Sequence, residues 1–168
     1  MLQPLLEALK EGWDSVKAWQ IVRCYEGGVI LRRGHFSREI KEGWNWKWPL
    51  MEEAHTTEIN PEPVNFETQS LTTKDGVSIM VSGVVLVKIR NVKKALLECQ
   101  EVEDMVAEVG VGVLCDMIMA NDYEKAREPE FRDEVKKACH KELTEWGIDV
   151  IRFKFQDFAK VRTLRVVD

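Results

Sequence analysis

Hydrophobic residues at the start of the chain recur at intervals of three and four positions, which is the spacing of one helix face. They form a narrow stripe across residues 2–18, and the opposite face is polar throughout. The stripe consists of Leu2, Leu5, Leu6, Leu9, Trp13 and Val16. This pattern predicts an amphipathic helix within residues 1–20, whose stripe could bury in lipid, in its own domain or against a neighbouring subunit.

After this helix the hydrophobic period changes to two, which is typical of strands. Predicted strands occupy the ranges 20–25, 29–33, 51–59, 63–73 and 77–90. The first two are expected to form a hairpin around Gly27 and Gly28. In the longest strand the apolar residues that share one face are Val77, Ile79, Val81, Val85, Val87 and Ile89.

From Val92 onward the pattern becomes helical. Helices are predicted at 92–98, 102–120 and 122–146, with a break near Pro129. One face of the last helix should pack on the sheet, and its residues are Phe131, Val135, Ala138, Cys139, Glu142, Leu143 and Trp146. Gly147 suits a helix C-cap, and a closing strand at 148–158 places Ile151, Phe153 and Phe155 on one side. Strands followed by helices and a final strand predict an α+β fold, a mostly antiparallel twisted sheet with helices packed on one face.

Three tryptophans, Trp44, Trp46 and Trp48, alternate with polar residues between Gly43 and Pro49. An extended segment would point all three indoles to one side. Exposed indoles would favour the headgroup region of a membrane, because the ring is apolar while its N–H can still donate a hydrogen bond. The alternative is that the tryptophans close the end of the hydrophobic core.

Composition narrows the function classes. A chain of 168 residues with 45% hydrophobic content fits one domain with appendages, and a net charge of -5 disfavours a nucleic-acid surface. The four cysteines form no C-x-x-C pair, which is typical of reduced, intracellular thiols. No segment resembles a secretory signal or approaches the roughly 18–20 apolar residues of a membrane span. Any membrane contact is therefore expected to be interfacial.

No catalytic set is visible in the sequence. His35, His55 and His140 fall in three separate predicted elements, and none has a nucleophile or metal ligand at a useful spacing. Asp75, before Gly76, is interpreted as a turn residue instead of an acid catalyst. We therefore expect that the chain has no catalytic or metal-binding residues, binds no cofactor and is not an enzyme.

Several ordered segments together resemble the SPFH (band 7) family, which includes stomatins, prohibitins, flotillins, HflK and HflC. These segments are 26–36, 43–49, 71–79, 93–97 and 146–150. The most specific of them is 71–79, which contains Thr73-Lys74-Asp75-Gly76-Val77. The resemblance assigns residues 21–158 to an SPFH domain. Relatives usually begin with a membrane-inserted segment and continue into a long coiled coil. Neither pattern is present here, so the resemblance suggests a minimal member, of the kind a phage genome could encode.

The resemblance implies a non-catalytic scaffold that assembles with itself into a ring or cage on a membrane lipid surface. The expected location is peripheral, at the cytoplasmic face of a prokaryotic or phage-infected cell membrane. Two alternatives remain open at this point, a regulator of a membrane-bound protease and a soluble oligomeric interaction module. The residues expected to contact the membrane are the stripe from Leu2 to Val16 and the three tryptophans.

A β-prone tail at 159–168 is the local candidate for self-assembly. Its apolar residues are Val161, Leu164, Val166 and Val167. The tail is expected to add a strand to a neighbouring subunit's sheet edge. Pairing within its own chain, or fraying, is the alternative.

Overall fold

The computed structural model of the chain describes residues 18–161. In this range the chain divides into two compact units. The first unit contains the residues up to Asn60 together with Val92–Glu98, and the second contains Pro61–Asn91 and the residues from Cys99 onward. The predicted helix with the Leu2–Val16 stripe, and the tail residues Leu164, Val166 and Val167, lie outside the described residues.

The predicted α+β class is confirmed, and the strand pairs are antiparallel. The strands are β1 (Trp19–Val22), β2 (Glu26–Arg32), β3 (His35–Ile40), β4 (Gly43–Trp46), β5 (Glu52–Glu58), β6 (Glu62–Thr72), β7 (Ser78–Ile89) and β8 (Ile148–Lys160). The helices are α1 (Val92–Glu98), α2 (Val102–Ala120), α3 (Tyr123–Ala126) and α4 (Pro129–Glu145).

The first unit contains a three-stranded sheet in the order β3-β2-β5 and a two-stranded ribbon formed by β1 and β4. Its small core consists of Val22, Ile30 and Ile40, with Ala54 packed against them. Each core residue comes from a different strand, so the apolar positions join the ribbon and the sheet in one unit.

The predicted hairpin between residues 20–25 and 29–33 is wrong. β1 pairs with β4, and β2 instead turns into β3 at Arg33 and Gly34, whose positive φ angles of 52° and 79° suit a tight two-residue turn. Gly28 lies inside β2, where an added Cβ would approach the carbonyl oxygen of His55 to 2.6 Å. Gly28 therefore allows close approach of β5, Gly27 allows close approach of Val92 on α1, and neither glycine forms a turn.

The second unit contains the sheet β6-β7-β8, with α2 and α4 packed on one face. The predicted core face of β7 is confirmed, because Ile79, Val81, Val85 and Val87 are buried in one cluster with residues of both helices. Gly110 of α2 permits this close packing, since a Cβ there would lie 2.3 Å from the ring of Phe66 on β6. Gly147, at φ 79°, provides the predicted left-handed residue after α4.

Two predictions in the closing part of this unit need correction. Ile151 was predicted on the same side as Phe153, but it is exposed. The β7–β8 pairing contains a bulge, in which Leu86 lies opposite Arg152 and the next residue, Val87, lies opposite Val150. Ile151 is therefore the extra residue of the bulge. The extra residue reverses the alternation on one side of the bulge. Glu142 and Trp146 were predicted on the packed face of α4, but Glu142 is exposed, and Trp146 is the C-cap residue and more than a third exposed.

Candidate functional site

The most distinctive surface of the first unit is the ribbon of β1 and β4. In its antiparallel register Trp46 lies opposite Trp19, and Trp44 lies opposite Ile21. Residues that face each other across a strand pair, and residues two apart along a strand, project from the same side. Four large apolar side chains therefore share one side of the ribbon, which we call the ribbon face: Trp19, Ile21, Trp44 and Trp46.

The ribbon face is exposed. Trp44 is 70% exposed and Ile21 63%, and the other two are about half exposed. The indoles of Trp19 and Trp44 contact each other diagonally across the ribbon, with centroids 6.4 Å apart and planes tilted by 43°. These side chains thus pack on one another and are not part of the Val22–Ile30–Ile40 core.

The turn that follows β4 extends this apolar surface. Trp48 is 56% exposed, Met51 is also exposed, and Leu50 is 85% exposed. Leu50 adopts φ 66°, a left-handed conformation that is uncommon for a residue other than glycine, asparagine or aspartate. A bulky apolar residue is therefore held outward at the tip of the turn. We call the ribbon face together with Trp48, Leu50 and Met51 the apolar patch.

An ion pair between a buried carboxylate and a half-exposed guanidinium fixes the turn. The Glu52 side chain is only 2% exposed, and its two oxygens accept hydrogen bonds from the two terminal nitrogens of Arg38 at 3.3 and 3.2 Å. Glu52 also accepts the Trp48 N–H at 3.1 Å, and Arg38 donates to the Trp46 carbonyl. A further backbone bond joins the Lys47 N–H to the Ala18 carbonyl at 2.9 Å. The tryptophans therefore project from a backbone anchored on both sides.

These contacts set the charge state of Glu52. Burial alone would raise the pKa of this carboxyl group, but the hydrogen bonds from Trp48 and Arg38 outweigh it, and the pKa lies below the ordinary value of 4.5. Glu52 is therefore ionised at neutral pH. The pair with Arg38 positions the turn, since Arg38 bonds the Trp46 carbonyl and Glu52 bonds the Trp48 N–H.

The structure brings the three predicted tryptophans together on one surface. Trp44 and Trp46 lie side by side, and Trp48 follows in the anchored turn. Trp19, Ile21 and Leu50 belong to the same patch and were not predicted. Trp19 fell within the range of the predicted N-terminal helix, and Ile21 fell in a predicted strand with another partner, so their alternation was not recognised. Val161 donates its N–H to the Ser78 carbonyl of its own chain at 2.9 Å.

The histidines and Asp75 have structural contacts. His140 accepts the Val150 N–H, and His55 lies 3.9 Å from the Glu53 carboxylate. Asp75 accepts hydrogen bonds from the Thr73 hydroxyl, which holds its pKa below the ordinary range, and from the Tyr123 N–H. Within residues 18–161, no group of three or more His, Cys, Asp or Glu side chains is placed to hold a metal ion. No helix in that range has the length and apolar content needed to cross a bilayer.

Comparison with known proteins identifies the family of this chain. Residues 20–160 match the model of the family described as SPFH domain / Band 7. An uncharacterised protein of Methanocaldococcus jannaschii is 24% identical over 84% of this chain and 72% of its own length. A mimivirus protein that carries the band 7 family name is 22% identical over 79% of this chain and 44% of its own. An uncharacterised Archaeoglobus fulgidus protein is 24% identical over 89% of this chain and 61% of its own.

Proposed function

The chain belongs to the SPFH domain / Band 7 family, whose members are in general membrane-associated scaffold or regulatory proteins, and from that premise we propose that it is a non-catalytic scaffold. In this proposal the apolar patch contacts lipid, and copies of the chain assemble on the membrane surface. The single observation that supports membrane contact most directly is the exposure of Trp19, Trp44 and Trp46 on one side of an anchored ribbon.

The energetics of the patch suit an interfacial contact. Removing apolar surface from water contributes roughly 25 cal/mol per Å², so each hundred Å² of indole surface contributes about 2.5 kcal/mol. Indole rings also prefer the headgroup layer, where the N–H still finds an acceptor. The rigid backbone around Glu52 means that little conformational entropy is lost when the rings insert. A weak contact per copy is sufficient if many copies bind together.

Flotation with liposomes tests the patch. We expect the native chain to float with vesicles and the double variant Trp44→Ala/Trp46→Ala to float several-fold less, because it loses the two central indoles. The matched control is Met80→Ala/Met119→Ala, which removes two exposed apolar side chains from the second unit. Equal flotation of the tryptophan variant and the native chain would contradict the proposal for the patch.

The predicted N-terminal helix is tested in the same assay. Leu5→Ser/Leu9→Ser interrupts its apolar stripe and leaves the ribbon unchanged. If the stripe also binds lipid, this variant floats less than the native chain but more than a variant that combines both sets of changes. If only the stripe binds, the tryptophan variant behaves as native, and the patch has another role.

Self-assembly is tested separately, by light scattering. The predicted contact residues are Val161, Leu164, Val166 and Val167. A chain truncated after Lys160 should have a lower mass in solution than the native chain if the tail joins subunits. An unchanged mass shows that assembly, if present, uses another surface.

A further inference from the structure

A cleft in the second unit lies between α4 and β8. It has a volume of about 350 Å³, within the range of small-molecule sites, and is lined by Asp133, Lys136, Lys137, His140 and Val150. The four α4 residues are spaced by three, four and seven positions, so they form one stripe on the helix. The stripe faces the cleft over a floor that includes Val150.

The cleft is cationic. Two ammonium groups and one carboxylate line it, so its formal charge is positive even with a neutral imidazole. In the described part of the chain neither Lys136 nor Lys137 forms an ion pair, whereas Glu134, outside the stripe, pairs with Lys125 at 3.7 Å. The charges of both lysines are therefore available to a ligand.

His140 has a fixed orientation. Its Nδ1 accepts the Val150 N–H at 3.2 Å, so a neutral imidazole must carry its proton on Nε2. The same bond ties α4 to the edge of the sheet and holds the ring at the cleft. His140 thus supplies one N–H donor in addition to the ammonium donors of the two lysines.

We propose that this cleft binds a phosphate group carried on a small organic moiety. Three donor side chains around one opening suit the several acceptor oxygens of a phosphate monoester, and lysine binds phosphate as a compact point charge. The volume exceeds that of a phosphate ion alone, so the cleft has room for an attached organic group. Asp133 lines the N-terminal end of the cleft, and its carboxylate favours placement of the phosphate toward Lys137 and His140. The inference concerns the second unit and does not depend on the apolar patch.

The test is an NMR titration of the full ¹⁵N-labelled chain with sn-glycerol 3-phosphate. We expect saturable shifts of the His140 ring nitrogens and of the Val150 amide at low millimolar concentration. Lys136→Gln/Lys137→Gln should weaken binding by about tenfold or more, because both charges are lost. The matched control is Lys141→Gln on the same helix, which removes one exposed charge that does not line the cleft.

Three results would overturn the proposal: no saturable shift, an equal shift in the double-lysine variant, or the same shift with acetate at equal ionic strength. Two further arms identify the source of the phosphate. If vesicles containing phosphatidic acid displace glycerol 3-phosphate and phosphatidylcholine vesicles do not, the natural ligand is a lipid headgroup. If only the soluble monoester binds, the ligand is a free metabolite, and the proposed cleft still stands.

Discussion

The aromatic side chains of the two units have opposite environments although both sets lie on antiparallel strands. On β8 of the second unit, Phe153 is buried, and its ring contacts those of Phe66 and Phe155 at centroid distances of 6.0 and 5.1 Å. On the ribbon of the first unit, Trp44 and Trp46 are more than half exposed. One set forms part of a core, and the other forms a surface.

The difference lies in what covers the strands. Residues of α2 and α4 lie in the same buried cluster as Val81 and Phe153, so helices cover that face of the second sheet. Among residues 18–60 and 92–98 of the first unit, the buried cluster consists of Val22, Ile30 and Ile40 and includes none of the four ribbon-face residues. Alternation along a strand therefore specifies which side chains share a face, but a covering layer decides whether that face is core or surface.

The largest expected difference between the two regions is in the cost of removing an aromatic ring. Phe131 of α4 is 1% exposed and stacks on Phe155, so Phe131→Ala should lower the free energy of unfolding by about 3–5 kcal/mol. Trp44→Ala, at an exposed position, should change it by less than about 0.5 kcal/mol. Urea denaturation followed by circular dichroism and by tryptophan fluorescence measures both free energies of unfolding.

A comparable loss in both variants would show that the ribbon face is part of a core. The comparison between the units would then fail. A loss confined to Phe131→Ala leaves the tryptophans without a stability role, which is the behaviour expected of a contact surface.

The next effect separates two glycines of α2. A methyl group at Gly110 would overlap the ring of Phe66, so Gly110→Ala should destabilise the second unit by about 1–3 kcal/mol. Gly112, two residues on, has open space around its added Cβ, and Gly112→Ala should stabilise the helix by about 0.5–1 kcal/mol. Thermal or urea unfolding followed by circular dichroism measures whether each variant is more or less stable than the native chain. A Gly110→Ala variant as stable as the native chain would show that the helix can move away from the sheet.

Much of the second unit could be predicted from the sequence. The helix at 102–120 and the strand at 77–90 have long, regular apolar patterns. Gly76 marks the start of that strand, and Gly147 marks the end of α4. Its errors are local. A bulge at Ile151 depends on how two strands align, and nothing in a single strand's alternation encodes it.

The first unit was harder to predict because its strands are short and two of its three pairings, β1–β4 and β2–β5, join strands that are not neighbours along the chain. The partner of β1 is β4, and sequence proximity favoured β2 instead. The patch was therefore recognised only in part, through Trp44, Trp46 and Trp48. Trp19 and Ile21 join it through the β1–β4 register, and the Arg38–Glu52 pair that holds the turn depends on a tertiary contact between residues 14 positions apart.

An effect of similar size concerns that ion pair. Glu52→Gln should cost about 1.5–3 kcal/mol at neutral pH, the usual range for hydrogen bonds to a charged group. The folded pKa of Glu52 is lowered, so its contribution to stability is fully present above the ordinary value of 4.5 and is lost as pH falls through the folded pKa. The stability gap between native and variant chains, measured by urea denaturation with tryptophan fluorescence, should therefore narrow below pH 4.5. A gap that is constant down to strongly acidic pH would contradict this role.

The smallest effect is a cation–π contact between β3 and α1 in the first unit. The Lys93 ammonium lies 4.2 Å from the ring centroid of Phe36, a partly exposed residue. At an exposed site such a contact is worth about 0.5–1 kcal/mol. A double-mutant cycle with Lys93→Met and Phe36→Leu keeps both apolar stems and isolates the pairwise term, read from tryptophan fluorescence in urea. A coupling near zero would mean that apolar packing alone joins α1 to this sheet, as Val92 beside Gly27 already does.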